Sequence, residues 1–275
     1  MDRTKGYDID DYISYYHGME KLPKATNERR HNENGILILV CYYFLKDSLG
    51  EFGEAERLIA NEIIRNLRTH KVSGGRYNGL YDRGADESKI IPKHKRRTIS
   101  HDNLTAISAF SSAFDLPYAR YIYNHGVNHQ WRFDNVEVEK PRWSRLMHPR
   151  DIIYWSRVGG TPMGKKIAWL FMWFFYLTQI VACFSKYKRR KDSKIISTSG
   201  QQMMFVRMYA LSKMTWVGKV MFKLCKKITE WRFGCDFADI FKMYYGGIEG
   251  QIYPDHNPDH PIIHVSRKAH EQGVL

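Results

Sequence analysis

A chain of 275 residues, 43% of them hydrophobic, with a mean hydropathy of −0.51, is long enough to bury a substantial core and too apolar for a disordered tail. Lysine and arginine total 43 against 29 acids, a net charge of +14, and such a field attracts polyanions: nucleic acid, acidic polysaccharide or an anionic membrane surface. The four cysteines, Cys41, Cys183, Cys225 and Cys235, have no CxxC spacing, which argues against a disulfide framework and for reduced thiols in a protein made in a cytoplasm.

The opening MDRTKGYDIDDYISYY is acidic and aromatic with no apolar h-region, so no signal peptide is expected, and residues 1–30 read as an N-terminal extension. Ile36 to Leu45, ILILVCYYFL, is apolar on every side, the mark of a helix buried all round; Gly50 ends it. From Glu54 to His70, Ala55, Leu58, Ile59, Ile63 and Leu67 recur at helical spacing, with Glu56, Arg57, Glu62, Arg65 and Arg68 opposite. An apolar helix followed by an amphipathic one predicts an αα-hairpin with an inner and an outer member.

The pattern then repeats. Ser100 is a candidate N-cap for the Ala- and Ser-rich run LTAISAFSSAF, with Asp102 in the first turn, where negative charge is favoured. Pro117 suits the start of the next helix, Tyr118 to His129. The acid–Asn pairs Glu33-Asn34 and Asp102-Asn103 each stand before a buried helix, a weak internal repeat of the kind that marks stacked units. His148-Pro149-Arg150-Asp151 and Ser197-Thr198-Ser199-Gly200 would open two further inner helices. Long segments, 72–98 and 131–147, separate the hairpins, and residues 136–139 suffice for one short strand at most. The predicted fold is all-α, a single domain over residues 1–275 of stacked helical hairpins, forming an (α/α) toroid or part of one, with residues 251–275 as an extended tail.

Ile167 to Ser185, IAWLFMWFFYLTQIVACFS, is apolar enough for a membrane segment. Basic residues on both flanks give it no orientation, and a buried inner helix is the competing reading.

If the inner helices converge at one mouth, Glu33, Asn34, His101, Asp102, Asn103 and Arg150 ring a single cavity. His101, Asp102, Glu33 and Asp82 are then the candidate catalytic residues: paired carboxylates serve as general acid and base on a sugar, and a histidine abstracts a proton beside a uronate carboxyl. Asn34, Asn103, Arg150, Tyr81 and Arg83 are the candidate substrate contacts. Tyr81 and Arg83 come from the loop NGLYDRG, where Tyr81 would stack on a sugar and Arg83 meet a carboxylate. The plainer alternatives are helix caps and a tight turn with a surface ion pair. The run from Asp255 to His264 holds three histidines and two aspartates, but its spacing fits no closed metal site, so no metal is expected there. No cofactor is expected, since Walker A, GxGxxG, GxSxG and HExxH are all missing from the sequence. The basic cluster Lys93 to Arg97 has no accompanying DNA- or RNA-binding motif in the sequence, which argues against sequence-specific nucleic-acid binding.

In order along the chain, ENGILIL, NGLYDRG, ISHDNLTAIS, HPRDIIYW, STSG and DHPIIH resemble a pattern in uncharacterised proteins of tailed bacteriophages. The helical-hairpin pattern is similar to α/α-toroid glycosidases, epimerases and polysaccharide lyases. The resemblance implies a phage-encoded, glycan-directed protein, a hydrolase, a lyase or a binding relic of one, taking an acidic glycan or other polyanion in the host cytoplasm or the virion. The alternative is a non-catalytic virion or membrane-associated interaction protein that uses its basic surface and residues 167–185.

Overall fold

The computed structural model describes residues 35–67, 101–128, 198–233 and 261–274, together with Ile13, Pro162, Met163 and Lys166. The described residues form seven helices and no strand: α1 (Gly35–Ser48), α2 (Glu54–Leu67), α3 (His101–Ala113), α4 (Tyr118–Asn128), α5 (Thr198–Met214), α6 (Trp216–Phe233) and α7 (Pro261–Glu271). The fold is all-α.

The helices α1, α3 and α5 are the inner members, and each packs on the other two. Their sequences explain the placement. Every residue from Ile36 to Leu45 except Tyr42 is buried, since α1 has no polar face to turn to water. In α3 the buried hydroxyls of Ser108, Ser111 and Ser112 each donate to a carbonyl four residues back, at 2.6–2.8 Å. This back-bonding removes the cost of burying a hydroxyl. The small Ala and Ser side chains also let neighbouring helices approach.

Each inner helix is followed, after a short connection, by an outer one that returns alongside it. Residues 49–53 join α1 to α2. Gly50, at φ 73°, adopts the left-handed conformation, and the N–H groups of Gly50 and Glu51 close onto the carbonyls of Asp47 and Lys46 at 3.0 and 2.9 Å, a Schellman cap. Residues 114–117 join α3 to α4 in a similar way, with the left-handed position held by Asp115 (φ 55°) and Leu116 N–H bonded to the Ser111 carbonyl at 2.7 Å. A single residue, Thr215, separates α5 from α6; its Oγ1 accepts from Gly218 N–H at 2.9 Å and so caps α6.

The three inner helices run parallel. Near their first turns, Leu37 N–H of α1 donates to Asn103 Oδ1 of α3 at 3.3 Å. Near their last turns, Phe44 packs on Phe110 and on Tyr209 of α5, with ring centroids 6.0 and 4.9 Å apart. There Asp47 accepts from Tyr209 Oη at 2.7 Å and pairs with Lys213 at 2.9 Å, while the Lys213 ammonium lies over the Phe114 ring. Arg57, in the first turn of α2, donates to the Phe114 carbonyl at 3.0 Å. One end of the molecule thus holds the three tight connections and a polar clamp around a plug of aromatic rings.

The opposite end holds the N-termini of α1 and α3 and, by the same parallel order, of α5. The chain leaves α2 at Leu67 and enters α3 at His101, and it leaves α4 at Asn128 and enters α5 at Thr198.

Two expectations need correction. In α2 the buried residues are Ala60, Ile63 and Ile64, whereas Leu58 is 60% exposed and Ala55 is exposed too. Arg57, on the same face as Ala60 and Ile64, reaches the Phe114 carbonyl just past the end of α3. The C-terminal residues were expected to be extended throughout 251–275, but Pro261–Glu271 is a helix, with Ile262, Ser266 and Ala269 buried. Pro261 stands at its first position, where a missing N–H costs nothing, and Gly273 caps its end at φ 67°. This helix packs on α1, and Lys268 pairs with Glu51 at the short-turn end.

Candidate functional site

Helix N-termini carry unpaired N–H groups and the positive end of the helix dipole. With α1, α3 and α5 parallel, three such termini face the same side of the molecule. His101 and Asp102 are the first two residues of α3 and stand at this mouth by their backbone positions. Glu33 and Asn34 lie outside the described residues, but the chain carries them directly into Gly35, the first residue of α1. Tyr81, Asp82, Arg83 and Arg150 also lie outside the described residues, as do Ser100, the basic cluster 93–97, the strand candidate 136–139, the apolar segment 167–185 and residues 255–260.

Among the candidate site residues, Asn103 is the one whose side chain is described. It is completely buried, and its Oδ1 is occupied by Leu37 N–H. That amide belongs to the third residue of α1 and is one of the four N–H groups that no helix can satisfy from within. A cap had been expected to act locally, on α3 itself; instead Asn103 caps the neighbouring inner helix from 66 residues away. This position leaves it no surface for a ligand.

A crevice between α1 and α2, lined by Ile36, Leu39, Val40, Tyr43, Ala60, Ile63, Ile64 and Phe110, leaves about 10 Å³ for a water-sized molecule, about the minimum one water needs. Its wall is apolar, so it suits no sugar. Among the described residues no three His, Cys, Asp or Glu side chains gather as a metal site requires, and no helix is long and apolar enough to cross a membrane.

At the other end, burial, and then the hydrogen bond to Asp47 and that carboxylate's charge, hold the Tyr209 phenol well above its ordinary range. Burial likewise pushes the Cys41 thiol up. Both groups are therefore neutral and unreactive, as parts of a core should be.

The sequence reading overlooked one surface. Along the outside of α6, Trp216 (76% exposed), Val220, Leu224 and Trp231 (75% exposed) are open to solvent, beside the exposed Lys219, Lys223 and Lys227. The signal was present in the spacing of Trp216, Val220 and Leu224 at i, i+4 and i+8, a register opposite to that of the buried Met221, Phe222 and Cys225.

No protein-family model matches the chain, and no curated protein or solved structure does either.

Proposed function

We propose that the protein is glycan-directed, taking an acidic polysaccharide at the mouth formed by the N-termini of α1, α3 and α5, as a hydrolase, a lyase or a binding protein descended from one. The observation that supports this most is the parallel order of the inner helices. It puts His101 and Asp102 on the same side as Gly35, the residue that follows Glu33-Asn34. Three helix dipoles and a net charge of +14 favour an anionic ligand at that side. His101 would take the proton beside a uronate carboxyl, or Asp102 with Glu33 or Asp82 would act as acid and base across a glycosidic bond. Closure of the hairpins into a full toroid, and an origin in a tailed bacteriophage, are part of the same proposal.

The test is to incubate the full chain with a panel of acidic and neutral polysaccharides, measuring binding, new reducing ends and unsaturated uronates. Binding or product with the acidic members, lost in His101→Ala and Asp102→Asn while the fold persists, is the expected result. Failure to bind any member would remove the proposal.

A second reading, a non-catalytic interaction protein, is favoured by the exposed apolar strip of α6, which a monomer in water has no reason to keep.

A further inference from the structure

At 3.6 residues per turn, Trp216, Val220, Leu224 and Trp231 fall within a strip about 80° wide that runs about 22 Å along α6. The same helix buries Met221, Phe222 and Cys225 on its opposite side against α5. Both sides are therefore apolar, and the core uses one of them. Lys219 and Lys223 border the outer strip and Lys227 lies within it, all three exposed. Glu230 is the one acid in the 18 residues of the helix.

We propose that this outer face of α6 docks on an anionic lipid surface, lying in the headgroup plane with Trp216, Val220, Leu224 and Trp231 turned toward the acyl chains and the lysines on the phosphates. This deepens the second reading above and is independent of the mouth. Charge selects the occupant. A second copy meeting this face symmetrically would gather the exposed lysines of both copies, Lys219, Lys223 and Lys227 from each, into one interface, with Glu230 the one acid of each helix to offset them. Residues 167–185 are an equally poor match, since lysines and arginines flank them on both sides. An anionic bilayer complements the lysines and accepts the apolar strip together. Tryptophans at both ends of the strip suit the boundary between headgroup and hydrocarbon. A helix on the outside of a hairpin can also meet a flat surface without rearrangement of the core.

The experiment is flotation of the full chain with vesicles of equal parts phosphatidylcholine and phosphatidylglycerol, against vesicles of phosphatidylcholine alone. The protein should float with the anionic vesicles, and salt should release it. Replacing Lys219, Lys223 and Lys227 together by Gln should weaken partitioning about 100-fold, about fivefold for each charge removed. Trp216→Ala with Trp231→Ala should also abolish flotation, with an unchanged helical circular-dichroism spectrum. Trp216→Phe with Trp231→Phe keeps the strip apolar; it should still float but lose fluorescence quenching by brominated acyl chains. Flotation that persists unchanged in both the Gln and the Ala variants would move lipid contact elsewhere in the chain, overturning this inference and leaving the second reading in place. No flotation of the wild type overturns the lipid assignment outright. Conversion of an oligomer to a monomer by the α6 variants, without vesicle binding, would give the face to a second copy instead.

Discussion

The amide N–H of Leu37 donates to the side-chain oxygen of Asn103 at 3.3 Å, inside the protein and across 66 residues of chain. A hydrogen bond of this kind joins the first turns of two parallel helices and sets their axial register. Asn103→Leu removes the acceptor and leaves a buried amide unsatisfied, at a cost of about 1–3 kcal/mol. Thermal denaturation should show a midpoint several degrees lower, while glycan binding per folded molecule stays at the wild-type level. An unchanged midpoint would mean that water or another group replaces the cap.

Tyr209 supplies a pH dependence whose sign follows from its surroundings. In the unfolded chain a tyrosine loses its proton near pH 10. In the native state burial first, and the Asp47 contact second, hold the proton above that. Above about pH 10 the unfolded state therefore binds fewer protons than the native one, and stability falls as pH rises. The advantage of wild type over Tyr209→Phe should be constant near neutrality and shrink above about pH 10, by up to about 1.4 kcal/mol per pH unit. Urea unfolding of both proteins across that range measures it, and parallel curves would contradict the assignment.

Two glycines should respond to alanine for different reasons. A Cβ at Gly50 meets nothing within 4 Å, but φ is 73°, so Gly50→Ala should cost about 1 kcal/mol of backbone strain. A Cβ at Gly218 would lie 2.1 Å from the Leu211 carbonyl oxygen. Since that atom is backbone, α5 and α6 would have to move apart, and Gly218→Ala should cost more than Gly50→Ala, about 1–3 kcal/mol or above. Chemical denaturation of the pair ranks them; the reverse order would show that the α5–α6 corner is slack.

Cys41 and Cys225 are both buried, and neither is in a disulfide; burial disfavours the thiolate of Cys41. Peptide mapping after iodoacetamide treatment at mildly alkaline pH should find both unmodified in native protein and modified in urea. Rapid labelling of Cys41 in the native state would indicate that α1 opens locally.

Much of this architecture could be read from the sequence because the inner helices lack a polar side. The run from Ile36 to Leu45 has one place to go, and the alternation of apolar and amphipathic runs gives the hairpins. The face of α2 was harder, because Leu58, Ile59, Ile63 and Ile64 point around more than half the helix; tertiary contacts, Arg57 to Phe114 among them, decide which of them are covered. The tail was misjudged because proline serves both extended chain and the first turn of a helix, and Pro261 does the second. Asn103 could not be assigned its partner, since no local pattern reports a contact over that separation. The same limit applies to Asp47, Tyr209 and Lys213, three ordinary residues until parallel packing brings them together.

The three tight connections have a consequence for how such a protein can change over time. Lengthening a slack segment between fixed anchors is inexpensive in chain entropy, about 0.6 kcal/mol for each doubling, but residues 49–53, 114–117 and 215 are held by hydrogen bonds and leave no slack. An added residue in any of them would pull on Asp47, Tyr209 and Lys213, which meet beside them. The lengths of these three turns should therefore be inherited more strictly than the residues in them.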